Sequence, residues 1–257
     1  MTIKNLEDFT ENKIEAGWLP FFEDELSKPY FTLLFNKVKE AYNNSRCYPA
    51  KTDIFKAFNL TPYQQVKGLL LGQDPYHTGV ATGLAFSVDN GVPPPSLKNV
   101  YDELKLEGYT VERTGNLEGW AQQGLLMLNS VLTVQAGKAA SHSGLGWQQF
   151  SDNLISYLNQ NNDNIFYFLW GNYAKAKAAL VTNPSHSIFT ATHPSPLAGT
   201  SFLRNGCFNK ANQFLTKIGK EPLDWSATAK MDKPVKIEAA ASAKITKEKN
   251  YKDGFLF

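Results

Sequence analysis

The chain has only two cysteines, Cys47 and Cys207, set far apart in its 257 residues. Neither a disulfide framework nor the closely spaced Cys/His pairs of a zinc site can be built from them, so the expectation is a protein of a reducing compartment with no metal and no cofactor. It also lacks any apolar run approaching the roughly 20 residues of a membrane span. The first nineteen residues mix Glu, Asp and Lys with scattered apolar positions, without the continuous apolar core of a secretion signal, and the expected location is the cytoplasm. Net charge is also scarce, at +2. Residues 1–225 carry 19 Lys/Arg against 20 Asp/Glu, whereas 226–257 carry 7 against 4. A polyanionic partner would have to be met by a localised groove or by uncharged donors, because counterion release scales with the cations placed on phosphates.

What is present is ordinary globular composition: 42% hydrophobic, 13% aromatic and 19% charged. That suits one α/β domain with a sizeable core, a monomer by default. Apolar positions Phe31, Leu34, Phe35 and Val38 recur at helical spacing, and Ile54, Phe55 and Phe58 follow, so the first 60 residues read as a helical cap. Four short apolar runs, 66–71, 125–128, 165–170 and Ser187–Ala191, read as strands. Helices are expected between and after them over 96–107, 148–160, 174–180 and 210–218. Alternation of this kind predicts an α/β fold with a central, mainly parallel four-stranded sheet flanked by helices on both faces. From Ser226 the chain is Ala, Lys, Thr and Ser with isolated apolar residues, which predicts a flexible basic tail over 226–257 behind a domain of 1–225.

The chemistry-bearing residues sit where the apolar runs end. Gly72-Gln73-Asp74-Pro75-Tyr76-His77 follows the first run, Asn129-Ser130 the second, Trp170-Gly171-Asn172 the third and Thr192-His193-Pro194-Ser195-Pro196-Leu197 the fourth. In an open parallel sheet these loops share the carboxyl edge, where ligands bind. Taken singly, Asp74 reads equally well as a turn cap, Asn129 as a turn former and His193 as a satisfied structural residue. Phe86 reads alone as a core aromatic and Leu197 as a stray surface residue. An acid, an amide, an imidazole and aromatics on one rim are harder to explain as structure.

The segment from Gly72 to His77, Gly83-Leu84-Ala85-Phe86-Ser87-Val88, Pro93-Pro94-Pro95-Ser96-Leu97, Leu125–Asn129 and the segments from Ser141 to Trp147 and from His193 to Leu197 together resemble family 1 uracil-DNA glycosylases, in the family's order and across roughly residues 15–225. The resemblance implies an enzyme of DNA base excision repair that flips uracil out of the duplex and hydrolyses its glycosidic bond without metal. It makes Asp74 the carboxylate that orients water and stabilises a cationic sugar, and His193 a neutral imidazole donating to uracil O2. It makes Asn129 the reader of the uracil edge, Phe86 the stacking platform and Tyr76 the residue that excludes a C5 methyl, with Gln73 also at the base. Leu197 becomes the wedge that fills the gap left by the flipped nucleotide, and Ser96, Ser195 and His77 become backbone contacts. His142 fits a structural role and a DNA contact equally.

The same resemblance implies uracil-containing DNA as partner and susceptibility to the DNA-mimicking inhibitor proteins of phages. Ala198 stands where many members carry serine, and the stretch 199–205 departs from the family's pattern. Phe255, Leu256 and Phe257 form an apolar tip on the basic tail that loosely resembles a peptide for a bacterial sliding clamp. Two other readings compete: a protein that binds flipped bases without cleaving, against which the retention of Asp74 and His193 argues, and a glycosylase of relaxed base choice, against which the bulk of Tyr76 argues.

Overall fold

The computed structural model describes residues 1–89 and 91–228. Six strands occur among them: β1 (Cys47–Tyr48), β2 (Gly68–Gly72), β3 (Leu125–Asn129), β4 (Val134–Gln135), β5 (Phe166–Trp170) and β6 (Ser187–Ala191). Four of these form one all-parallel sheet in the order β3-β2-β5-β6. β2, β3 and β5 are buried at every position, which is why they read as continuous apolar runs rather than alternating ones. β6 is the half-exposed edge.

Nine α-helices accompany the sheet among the described residues: α1 (Ile3–Thr10), α2 (Leu19–Ser27), α3 (Pro29–Asn44), α4 (Lys56–Leu60), α5 (Pro95–Leu106), α6 (Glu118–Gln122), α7 (Trp147–Asn161), α8 (Gly171–Lys175) and α9 (Cys207–Lys217). The helical cap is α1 to α4. An aromatic cluster of Trp18, Phe21, Phe22, Phe55 and Phe58 joins it to Phe150 of α7. A second cluster, Phe168 of β5 with Phe208 of α9 and Trp225, seals α9 to the sheet. Both belong to one continuous core.

Three expectations need correction. The helix expected over 174–180 is instead α8 followed by a tighter 3₁₀ turn at Ala176–Leu180, because Gly171, at φ 85°, turns the chain into a helix directly after Trp170. α9 begins at Cys207, three residues before the expected start, because the carboxylate of Glu107 accepts the backbone N–H groups of Phe208 and Asn209 and so caps its first turn. The strands expected to begin at 66 and 165 begin at Gly68 and Phe166. The antiparallel β1–β4 pair and α6 were not anticipated. Packing also continues past residue 225: Thr228 is buried and its carbonyl accepts from Gly119 at 2.9 Å. The tip Phe255-Leu256-Phe257 lies outside the described residues.

Candidate active site

The carboxyl ends of β2 and β3 are register neighbours, Gly72 opposite Asn129. Beyond them the loops stay tied, with Ser130 N donating to Gly72 O at 3.0 Å and Val131 N to Gln73 O at 2.9 Å. Asn129 is buried, and no protein group among the described residues pairs with its amide, so donors and acceptor are free to face a ligand. Glycine at 72 is what admits it: a Cβ there would lie 2.2 Å from Asn129 Oδ1.

A pocket of about 250 Å³ opens at this edge. That is below the roughly 300–1,000 Å³ of drug-sized sites and suits a single small ring. Of the residues singled out from sequence, Gln73, Asp74, Tyr76, His77, Phe86, Ser96, Asn129 and His193 all line it. Phe86 holds a left-handed backbone at φ 64°, uncommon for a bulky side chain and of the kind concentrated at working sites. Its ring lies 5.7 Å from that of Trp170 and 6.0 Å from that of His193.

Asp74 Oδ2 accepts the backbone N–H of Ala140 at 3.0 Å. Ala140 sits in a turn at φ 56°, and beneath that turn the Thr133 hydroxyl shares a 2.8 Å hydrogen bond with His142 Nδ1 while accepting from Trp147 Nε1 at 2.8 Å. His142 is thus buried and hydrogen-bonded, and it does not line the pocket.

His193 is fixed from two sides. Its Nδ1 accepts the backbone N–H of Ser195 at 3.0 Å. Gly171 lies against it so closely that a Cβ there would come within 2.9 Å of the His193 Cβ. A ring nitrogen that accepts is unprotonated, so the neutral imidazole carries its proton on Nε2. Burial lowers the His193 pKa from its ordinary value, favouring that neutral form. Burial likewise pushes the Tyr76 phenol up to about 12, keeping it uncharged.

Ser195 and Leu197 stand outside the pocket on the same loop as His193. Ser195 Oγ accepts the N–H of Leu197 at 3.3 Å, opening the 3₁₀ turn Pro196–Ala198. Leu197 is 98% exposed, an apolar side chain presented to solvent at the rim. A second, contiguous cleft of about 170 Å³ shares Gly72, Gln73, Phe86 and His193 and extends to Asn172 and Tyr173. Among the described residues no three His, Cys, Asp or Glu side chains gather as metal ligands, and no helix is long and apolar enough to cross a membrane.

The family model described as the uracil DNA glycosylase superfamily matches residues 58–216. The chain belongs to that superfamily. Its glycosylase relatives include the uracil-DNA glycosylase of Geobacillus sp. (strain WCH70), 48% identical over 216 residues, which covers 82% of this chain and 96% of that protein. The uracil-DNA glycosylase of Campylobacter jejuni subsp. jejuni serotype O:23/36 is 47% identical over 228 residues, covering 86% and 99%. Among solved structures, mimivirus uracil-DNA glycosylase superposes with a TM-score of 0.78 at 28% identity, over 88% of this chain and 89% of that one. A variant of the mimivirus glycosylase solved in complex with UGI gives the same TM-score at 29% identity, over 88% and 91%.

Sequence reasoning missed Ala140, whose contribution is a backbone N–H and leaves no side-chain signal. It also missed the steric part of Gly72 and Gly171, although a glycine at a strand end before a polar loop is a usable sign of close approach.

Proposed function

We propose that this chain excises uracil from DNA as a family 1 uracil-DNA glycosylase, releasing the free base and leaving an abasic site. The observation that carries the reading is the hydrogen bond from Ser195 N to His193 Nδ1, because it leaves an Nε2–H donor on a neutral ring in the pocket wall. A departing uracil anion concentrates charge on O2, and a preorganised donor there lowers the barrier without transferring a proton.

Glycosidic cleavage passes through an oxocarbenium-like state, which a carboxylate beneath the sugar stabilises electrostatically. Asp74 fills that role and orients the attacking water, its own orientation set by the Ala140 N–H. Phe86 stacks on the extruded ring. Asn129 accepts from uracil N3–H and donates to O4, and cytosine presents the opposite pattern, which would leave a buried amide unpaired. Tyr76 occupies the space of a thymine methyl, and Gln73 completes the wall. Extrusion costs a few kcal/mol of stacking, offset by Leu197 entering the gap. Ser96, Ser195 and His77 contact the flanking phosphates. Ser195 is well suited to this, since its oxygen accepts from Leu197 and its hydroxyl proton remains free to donate. Uncharged donors of this sort reconcile a nearly neutral body with a polyanionic substrate.

A variant of the mimivirus glycosylase has been solved in complex with UGI. A DNA-mimicking inhibitor of the same kind is the second partner proposed here, competing with DNA for the Leu197 loop.

The test is product analysis on matched oligonucleotides carrying one U, T or C, in EDTA. Free uracil and an abasic site from the U strand alone is the expected result. Tight binding of U-DNA with no abasic product would replace the reading with that of a base-binding protein.

A further inference from the structure

The α5 helix begins at the pocket and then runs along the back of the His193 loop. Ser96 on its first turn lines the pocket. One turn on, Asn99 Nδ2 donates to the carbonyl oxygen of Pro194 at 2.7 Å, a contact across 95 residues of chain. Another turn on, Glu103 is fully buried and its two carboxylate oxygens accept the backbone N–H groups of Arg204 and Gly206. Positions 96, 99 and 103 share one helical face. The helix therefore holds the loop at both ends, Asn99 next to His193 and Glu103 beyond the Leu197 turn, and it packs directly against that turn.

Of these anchors Asn99 is nearest the chemistry. The Pro194 carbonyl and the Ser195 N–H belong to one planar peptide, so the hydrogen bond from Asn99 holds one end of the unit whose other end donates to His193 Nδ1. Moving the Pro194 carbonyl rotates the peptide that carries the Ser195 N–H. A carbonyl accepts and cannot donate, so only the NH₂ of Asn99 fits here.

We propose that Asn99 is a positioning residue for the glycosylase reaction: it sets the His193 imbidazole by fixing the Pro194–Ser195 peptide, and it ties that imidazole to the helix whose first turn grips DNA at Ser96. The inference rests on the proposed role of His193. Its consequence is that backbone grip and leaving-group stabilisation are one rigid unit.

The experiment uses the full chain with Asn99→Asp, which keeps the shape and removes the donor, alone and combined with His193→Ala. Single-turnover cleavage of a U-containing duplex, affinity for the same duplex carrying non-hydrolysable 2′-fluorodeoxyuridine, and thermal melting are compared. A positioning role predicts a cleavage rate lowered about 10- to 100-fold, as small misplacements of catalytic groups do. Affinity for the analogue should stay within about threefold of the parent, and the loss should vanish in the His193→Ala background, as coupled sites require. Should Asn99→Asp lower the melting temperature, Asn99→Ala, which adds no charge, takes its place under the same criteria. A parental rate in a folded Asn99 variant, or a loss that multiplies with that of His193→Ala, overturns the proposal while leaving His193 in its role. A parental rate in His193→Ala alone removes the role of His193 and this inference with it.

Discussion

The backbone N–H of Ser195 donates to Nδ1 of His193 at 3.0 Å, and the side-chain oxygen of the same serine accepts from Leu197 at 3.3 Å. One residue thus sets both the tautomer of the imidazole and the turn that presents the exposed leucine. The proposed leaving-group donor and the proposed wedge therefore stand on a single loop.

The tautomer has a pH consequence. Burial holds the His193 pKa below its ordinary value of 6.5, so the ring stays neutral through neutral pH. As pH falls through that lowered value, Nδ1 takes a proton and can no longer accept from Ser195. Ring-nitrogen NMR should show His193 neutral with its proton on Nε2 at pH 7.5 and titrating with a midpoint below 6.5. A midpoint above 6.5 would contradict the geometry.

Gly72→Ala places a methyl group 2.2 Å from the Asn129 oxygen. The amide must turn away. Uracil cleavage should fall about 100-fold, the scale seen when one preorganised donor is lost. Circular dichroism should show the fold retained.

Leu197 makes no contact that the fold depends on, being 98% exposed. Leu197→Ala should leave the melting temperature unchanged and lower kcat/KM on duplex DNA about tenfold, corresponding to roughly 1–2 kcal/mol of apolar burial in the gap. Substrates in which the uracil is already unpaired should lose less.

A stability effect is expected at the far end of α5. Burial, with the Glu103 charge adding to it and the Phe208 and Asn209 amides opposing, raises the Glu107 carboxyl to about 7. A carboxyl raised above its unfolded value of 4.5 contributes stability that is full below pH 4.5 and is lost as pH rises toward about 7. Chemical denaturation across that window should show the decline in the parent protein, and Glu107→Gln should flatten it.

Much of this was legible in the sequence, for a physical reason. Strands buried on both faces leave apolar runs with abrupt ends, and the polar residues that follow must share one edge, so Asp74, Asn129 and His193 could be grouped before any coordinates. What escaped was whatever lacks a pattern of its own. β1 and β4 are two residues each, too short for any periodicity. α6 is five residues, and Trp120 in it donates to the Trp225 carbonyl at 3.0 Å, so tertiary contact rather than propensity holds that helix. The Ala140 N–H on Asp74 and the Asn99 amide on Pro194 join residues 66 and 95 positions apart, which no local reading can pair.

In the proposed reaction Asp74 and neutral His193 together carry the hydrolysis. The most direct test is single-turnover release of uracil by the parent protein, Asp74→Asn and His193→Ala, at saturating enzyme so that binding drops out. Each variant should bind uracil-containing DNA and be slowed by about 100-fold or more, the range of a lost electrostatic group in a preorganised site. Release at the parental rate by either variant would contradict it.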